Sequence, residues 1–269
     1  MRSTTLLSVL AFFGMASATP LDGDKLQARA IVPHDSIGPV LPKTQGGKIG
    51  DAMERFQPFL HIAHGCQPYT ASNEKGDISF GSGGLQDSGN PSAGCRDKNK
   101  GQTYVRAAWH KGKFGVMYAW YFPKDQPNAG NVVGGHRHDW ENVVVWLDNP
   151  DNVNPRIVGF AASGHGDYSR TTNPIREGDK VKVEYFTQLG LNHALQMSNT
   201  RGDTHWLLQW ESMDARSRNA LQDANFGKAN VPFKNGNFVN NLDKAFYLSL
   251  VREGALDLFR EWLLSREWL

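Results

Sequence analysis

Short apolar runs of strand length dominate the middle of the chain. The clearest, residues 143–147, is β-branched or bulky at every position and too short for a helix. The runs that predict strands are residues 103–110, 114–122, 141–147, 156–162, 180–186 and 205–211. Lys111, Gly112 and Lys113 separate the first two runs by a length that suits a hairpin turn. The pattern predicts an all-β protein, an antiparallel β-sandwich with short peripheral helices.

The pattern of the flanking segments is different. Residues 50–60 place apolar side chains at helical spacing, with Asp51 in position to cap, and residues 214–224 predict a second helix. Residues 226–247 are interpreted as a loop and a last strand. The sandwich domain is therefore expected to span residues 48–247. Residues 248–269 are expected to form a C-terminal extension, helical or disordered, with one apolar stripe.

The N-terminus has the order of residues that export requires. Arg2 precedes an apolar run, and Ala16-Ser17-Ala18 supplies a cleavage site before Thr19. Residues 1–18 are thus predicted to be a signal peptide, the alternative being a buried N-terminal helix. The run is too short to span a bilayer. Residues 19–47, which contain four prolines, are expected to form an extended arm or pro-segment without a role in the core.

Composition narrows the range of partners. The 269 residues include 29 basic and 27 acidic side chains, a net charge of +2. No global field therefore attracts nucleic acid or an anionic bilayer, and we expect a secreted protein that is a monomer in solution. Cys66 and Cys95 are the only cysteines. In an exported chain they are expected to pair, which stabilises the fold by roughly 3 to 4 kcal/mol. A metal role is less expected, because the C-x-x-C spacing is missing.

One short segment, residues 134–141, combines two imidazoles, a guanidinium and two carboxylates in the sequence Gly-Gly-His-Arg-His-Asp-Trp-Glu. On a regular strand His136 and His138 share one face, and Asp139 and Glu141 share the other, unless the glycine turn bends the chain. Two carboxylates this close are stable only if they hold a cation or a proton. Asp125 follows the second predicted strand and is expected at the same end of the sandwich.

Three carboxylates and one imidazole suit Mg²⁺ or Ca²⁺ better than zinc. The candidate metal ligands are Asp125, His136, Asp139 and Glu141. The alternative is a set of hydrogen-bonded turn residues with a buried ion pair to Arg137.

Other residues near the motif are interpreted structurally. Arg137 is expected to pair with a carboxylate of a neighbouring strand, and His138 to pack inward beside Trp140. Trp120 and Trp146 are assigned to the core. His165 lies between two glycines, where a lone histidine usually faces solvent. The histidines that remain unassigned are His61, His64, His110, His193 and His205.

Two segments carry a family resemblance. Residues 135–141 and residues 116–125, Val-Met-Tyr-Ala-Trp-Tyr-Phe-Pro-Lys-Asp, resemble the two marked segments of the necrosis- and ethylene-inducing peptide 1-like proteins. These proteins are secreted toxins of plant-associated microbes, and the resemblance covers roughly residues 51–247. It implies the β-sandwich and a branch of the family with one disulfide, Cys66 to Cys95.

The resemblance also implies a site and an activity. Asp125, His136, Asp139 and Glu141 match residues that hold a divalent cation, and His165, with Asp139 and His136, matches the headgroup-binding position. The implied ligand is the sugar headgroup of plant glycosylinositol phosphorylceramide sphingolipids, and the implied outcome is damage to the plasma membrane. The loop from residue 126 to 134 is longer than the family's usual connection. This departure puts the distance of Asp125 from the ion in doubt.

Two alternatives to a non-enzymatic toxin stay open. One is a secreted metal-dependent hydrolase acting on cell-wall or lipid substrates. A His-x-His-x-Asp-His metallohydrolase has its acid two positions after the second histidine, whereas Asp139 follows His138 directly. A serine hydrolase is not indicated either, because no Gly-x-Ser-x-Gly elbow is found between a strand and a helix. The other is a non-cytotoxic member of the family, whose residues 116–141 are detected by plant immune receptors.

Overall fold

The structure is a computed structural model that describes residues 29–130, 134–187 and 192–250. The predicted signal peptide, residues 1–18, and residues 251–269 of the predicted C-terminal extension lie outside these ranges. Within them, no helix is long and apolar enough to cross a membrane.

The described residues form ten strands and three α-helices. The strands are β1 (Phe59–Ile62), β2 (Gln102–His110), β3 (Lys113–Asp125), β4 (His136–Leu147), β5 (Ile157–Gly164), β6 (Asp167–Thr171), β7 (Arg176–Glu177), β8 (Lys180–Thr187), β9 (His193–Met197) and β10 (Trp206–Gln209). The helices are α1 (Gly47–Arg55), α2 (Ala215–Asp223) and α3 (Asn237–Ala245).

The strands assemble into two sheets. The larger has the order β10-β2-β3-β4-β5-β6, and the smaller the order β1-β8-β7 with β9 also paired to β8. The predicted sandwich is confirmed, but two pairings, β1 with β8 and β10 with β2, are parallel. Long connections lead to both of these strands, and only such connections can join parallel neighbours.

The core lies between the two sheets. Phe122 of β3 stacks on Tyr185 of β8 with ring centroids 3.8 Å apart. Trp120 and Trp146 are fully buried and Trp140 is 6% exposed, as expected for core aromatics. β9 packs against β4 and β5, which brings the start of β9 close to the ends of the central strands. Burial of each large aromatic contributes roughly 1.5 to 3 kcal/mol.

The six strands predicted from the apolar runs are all present, and four further strands were not predicted. β1, β6, β7 and β9 are two to five residues long, too short for a clear alternation of polar and apolar side chains. The predicted hairpin between β2 and β3 turns at Lys111 and Gly112, whose φ angles are 49° and 81°. Positive φ at both central residues defines a type I′ turn, one of the two turns favoured in two-residue hairpins.

Helix α1 begins three residues earlier than predicted and ends before Pro58. Its N-cap is Gly46, so the expectation that Asp51 caps the helix is wrong, since Asp51 lies within it. Phe59 and Leu60, which the helical spacing places in the same helix, instead begin β1. Helix α2 agrees with its predicted range, and the Asp214 side chain caps it by accepting from the backbone N–H of Arg216 at 2.9 Å.

The expected last strand within residues 226–247 is wrong, because residues 237–245 form α3. Phe238, Leu242 and Ala245 are buried at a spacing of four and three residues, which is the period of one helix face. The polar residues between them obscured this period in the sequence. Lys244 lies in the last turn of α3 and reaches back to the β5–β6 hairpin.

The described part of the N-terminal arm does pack on the domain, contrary to expectation. Ile37 is 2% exposed and His34 is 6% exposed. Lys43 pairs with Leu208 of β10, and the backbone N–H of Val40 donates to the Gln102 side chain at 2.7 Å. The arm thereby covers the outer edge of the larger sheet, where unpaired backbone groups would otherwise be exposed.

The predicted disulfide between Cys66 and Cys95 is present. The loop that it closes is also held by the buried ammonium of Lys124, which donates to the carbonyls of Ser88 at 3.1 Å and Asn90 at 2.9 Å. A buried charge is tolerated only when it is well hydrogen-bonded. The loop is therefore attached to β3 one residue before Asp125.

His205 predicts a dependence of stability on pH. The residue is half-buried, its Nδ1 is buried without a partner among the described residues, and desolvation lowers its pKa from 6.5 to about 4. Below pH 6.5 the unfolded chain binds a proton that the folded chain rejects, so stability falls as pH drops towards 4, by roughly 3 kcal/mol at most.

Urea unfolding between pH 4 and pH 7 measures this effect. We expect His205→Asn to lose less stability than the parent protein over this range. Equal pH slopes for the two proteins would contradict the assignment to His205.

Candidate functional site

A cavity of about 420 Å³ opens at one end of the sandwich. Asp125 is the last residue of β3, His136 is the first of β4, and His193 is the first of β9, and all three line it. The β5–β6 hairpin forms another wall. Strand ends from both sheets thus converge here, as expected for loops and strand ends of a sandwich.

The conformation of His138 decides which side chains reach the cavity. Its φ is 63°, so the regular alternation along β4 is broken, opposite Pro123, which has no N–H for the ladder. The expectation that His136 and His138 share a face is therefore wrong. His138 packs inward as predicted: its Nδ1 lies 2.8 Å from the Tyr121 hydroxyl and its Nε2 lies 2.9 Å from the Gly81 carbonyl. Burial lowers the pKa of His138 to about 4, which keeps the ring neutral.

With His138 turned inward, three ligand-type side chains meet in the cavity. Ligand atoms of Asp125, His136 and Asp139 all lie within 4.8 Å of one another. The doubt raised by the long loop after residue 125 is removed, because Asp125 pairs directly with His136 across the β3–β4 ladder. The length of the loop therefore does not separate these two side chains.

Each of the three side chains is oriented by a hydrogen bond. The Asp125 carboxylate accepts from His193 Nδ1 at 2.6 Å and from the His193 backbone N–H at 3.1 Å. The Asp139 carboxylate accepts from the Tyr185 hydroxyl at 2.8 Å. His136 Nδ1 donates to the carbonyl of His138 at 2.6 Å, which leaves Nε2 as the atom on the side of Asp125, 3.7 Å from its carboxylate. This is the ring orientation that metal-bound histidines adopt.

The buried carboxyls disfavour their own charged forms. Burial, together with the neighbouring Asp125, raises the pKa of Asp139 to about 7. Burial and Asp139 raise the pKa of Glu141 well above its usual range, although Glu141 accepts a hydrogen bond from the Ser163 hydroxyl. Such a group ionises fully only when a cation neutralises it.

The donor set fits a hard divalent cation. Two ligands of one ion are separated by at most twice the bond length, which is about 5 Å for Ca²⁺ and about 4 Å for Mg²⁺. The spread of up to 4.8 Å therefore suits Ca²⁺ directly and Mg²⁺ with a small contraction or a bridging water. Asp125, His136 and Asp139 form a buried group that could hold a metal ion, and Glu141 lines the same cavity.

Arg137 does not take part in this cluster. Its guanidinium donates to the carbonyls of Ser82 at 3.1 Å and Gly84 at 2.7 Å, so the expected pairing with a carboxylate of a neighbouring strand is wrong. The same contacts argue against the alternative of a buried ion pair with Arg137.

His165 lines the same cavity from the β5–β6 hairpin. Its φ is 52° and that of Gly166 is 82°, so the two residues form a two-residue turn. Histidine tolerates this backbone region better than most residues. The turn is braced by Lys244, whose ammonium donates to the Gly166 carbonyl at 3.0 Å.

His193, Tyr185 and Ser163 contact the candidate ligands but were not predicted. Each lies on a strand of ordinary appearance, and His193 is 68 residues from its partner Asp125. No local spacing could identify them. The only signal was that buried acids need donors, which does not say where the donors lie in the chain.

Comparison with known proteins gives consistent results. Residues 50–245 match the sequence profile of the family described as "Necrosis inducing protein (NPP1)". NLP effector protein 10 of Phytophthora capsici is 42% identical over 222 residues, covering 81% of this chain and 92% of that protein.

Two solved structures are also similar. The structure described as "NLPPya in complex with mannosamine" has a TM-score of 0.75 and 40% identity, covering 81% of this chain and 100% of the other. The structure of "non-toxic HaNLP3 protein" has a TM-score of 0.75 and 39% identity, covering 80% of this chain and 99% of that one. Similarity of sequence and fold thus extends to both a sugar-bound and a non-toxic relative.

Fold and site together define a β-sandwich protein with a cluster of buried acids and a histidine, suited to a cation, in a cavity at its rim. With the profile and the relatives added, the chain belongs to the necrosis-inducing protein (NPP1) family of effectors.

Proposed function

We propose that this protein is a secreted cytolysin that binds plant glycosylinositol phosphorylceramide headgroups in a cation-dependent manner and damages plant plasma membranes. The observation that carries the proposal is the convergence of Asp125, His136 and Asp139 in one solvent-open cavity. The sugar complex of a relative that is 40% identical supports a glycan as the ligand.

The cation is proposed to be Mg²⁺ or Ca²⁺, held by Asp125, His136, Asp139 and Glu141. Bound there, it supplies positive charge and open positions for hydroxyl or phosphate oxygens. The protein's own groups orient the ligands: His193 holds Asp125 and Tyr185 holds Asp139. We propose that His165 contacts the headgroup together with Asp139 and His136, because its exposed ring lines the cavity on a rigid turn. No catalytic step is proposed.

Leakage of dye from vesicles tests this function. Vesicles that contain the plant sphingolipid are expected to leak with protein and Ca²⁺ or Mg²⁺, and to remain intact with a chelator. Vesicles without the sphingolipid are the control. Leakage that persists in chelator, or that does not require the sphingolipid, would contradict the proposal. Binding without leakage would indicate a non-cytotoxic member of the family.

Detection of residues 116–141 by plant immune receptors is a separate proposal. Burial in the folded protein limits the access of a receptor to this segment. Residues 116–122 of β3 are almost completely inaccessible in the folded protein. A receptor that binds this segment would therefore require unfolded or cleaved protein. We expect that a synthetic peptide of residues 116–141 triggers defence responses that intact, protease-protected protein does not.

A further inference from the structure

The cavity has a basic part that the cation cluster does not use. Lys228, in the turn after α2, and Lys244, at the end of α3, line the same cavity as Asp125 and Asp139. Within the described part of the chain, neither lysine forms an ion pair with an acidic residue of the cavity. Asp167, another acid of the lining, is already paired with Arg170 at 2.7 Å. The cavity thus presents separate acidic and basic groups.

The backbone around Lys228 is fixed by its neighbours. Phe226 and Ala229 are buried and pair with each other across the turn, and the Asn225 side chain accepts from the backbone N–H of Gly227 at 2.9 Å. The Phe226 ring packs on Tyr121 with ring centroids 5.5 Å apart. The turn therefore presents Lys228 from an anchored position, which reduces the entropy lost when its ammonium binds a ligand.

The two ammonium groups differ in their available donors. The Lys244 ammonium already donates to the Gly166 carbonyl at 3.0 Å. The Lys228 ammonium has no hydrogen bond or ion pair within the described residues. Its side chain lines both this cavity and a neighbouring one. An ammonium has three donors and no acceptor. Three unused donors at the rim of a ligand cavity suit an anionic oxygen cluster.

We infer that Lys228 determines specificity for an anionic sugar, binding a phosphate group of the ligand while the sugar hydroxyls lie towards the cation cluster. This inference rests on the proposed function and assigns a residue to one part of the ligand. A phosphate accepts charge-assisted hydrogen bonds from an ammonium, and these are stronger than hydrogen bonds between neutral groups. Lys244 adds positive charge to the same part of the cavity, but its ammonium is already bonded to the hairpin that carries His165.

Calorimetric titration with mannosamine and with mannosamine 6-phosphate, each with Ca²⁺ present, tests the inference. We expect the phosphorylated sugar to bind about tenfold tighter to the parent protein. Lys228→Met is expected to remove this preference by weakening the binding of mannosamine 6-phosphate. Lys228→Arg is expected to retain it. The matched control is Lys75→Met, because Lys75 is exposed and is not among the residues that line the cavity.

Equal binding of the two sugars by the parent protein would overturn the inference. A preference for the phosphorylated sugar that survives in Lys228→Met would also overturn it, because the cation alone then binds the phosphate. In both cases sugar binding persists and the proposed function stands. If neither sugar binds, the proposed function fails and the inference fails with it.

A second arm uses vesicles with glycosylinositol phosphorylceramide and vesicles with glucosylceramide, which lacks the phosphate. The parent protein is expected to bind the first kind of vesicle more tightly than the second. Loss of this difference in binding in Lys228→Met supports a lipid as the source of the phosphate. A difference that is unchanged in the variant overturns that source.

Discussion

Asp139→Asn is expected to weaken Ca²⁺ and Mg²⁺ binding at pH 8 by at least about 100-fold, since changes even to groups outside the ligand shell cost 10- to 100-fold. Asparagine keeps the size of the side chain and can still accept from Tyr185, but it loses the charge that the cation neutralises. Titration calorimetry of the cation-free protein measures the affinity. The vesicle leakage proposed for this protein is expected to fall with the cation affinity.

The same variant is expected to change stability in the opposite direction. The pKa of Asp139 is about 7 in the folded protein and 3.8 when the side chain is fully solvated, so the folded state binds the extra proton between these values. Stability of the cation-free protein therefore falls as pH rises from 4 through 7, and at pH 8 the buried charge is a cost. Asp139→Asn removes this cost, so without cation the variant is expected to be at least as stable as the parent at pH 8.

Asp167→Asn is the matched control. Asp167 lines the same cavity, but it is exposed and is paired with Arg170. This change is expected to leave cation affinity within about twofold, since an exposed charge is well screened. Unchanged cation affinity in Asp139→Asn, or equal losses in both variants, would refute the assignment of Asp139 as a ligand.

Gly202→Ala is expected to lower the free energy of unfolding by about 3 kcal/mol or more, because the added methyl has no space. A Cβ atom at Gly202 would lie 2.0 Å from the carbonyl carbon of Leu60 and 2.2 Å from the backbone nitrogen of His61. The neighbouring Asp203 exchanges two backbone hydrogen bonds with Leu60 of β1, at 2.9 and 3.0 Å. The clash is therefore with backbone that cannot move without breaking both bonds.

Gly38→Ala provides the comparison for this change. A Cβ atom there has no neighbour within 4 Å, and the backbone of Gly38 is not in the left-handed region. It is expected to change stability by less than about 0.5 kcal/mol. Urea unfolding of both variants makes the measurement. A free energy of unfolding for Gly202→Ala within about 1 kcal/mol of the parent, on the scale typical of neutral substitutions, would contradict the close approach.

Five of the six strands of the larger sheet, all except β6, could be predicted because their side chains report their own environment. Residues 143–147 are apolar without exception and are buried in β4. Helix α3 could not be predicted, because only three of its nine residues, Phe238, Leu242 and Ala245, are buried. The short edge strands could not be predicted for a similar reason. A strand of two to five residues contains too few positions to show a period of two.

The candidate ligands could be identified for their chemistry, but their arrangement could not. Residues 134–141 and Asp125 contain an unusual concentration of acids and imidazoles, and this is visible in the sequence. A regular strand would have placed His136 and Asp139 on opposite faces. The positive φ of His138, with its ring between Tyr121 and Phe226, brings them to the same cavity. That conformation depends on core packing from elsewhere in the chain.

The sequence alone indicated the sandwich class, the disulfide partners and the candidate ligands for a cation, because each of these follows from residue type and local spacing. Only the tertiary structure decided that His193 orients Asp125, that Arg137 contacts carbonyls and that Lys228 lines the cavity. These relations join residues dozens to a hundred positions apart. They depend on how two sheets and a C-terminal helix pack, and packing geometry is not a property of any single segment.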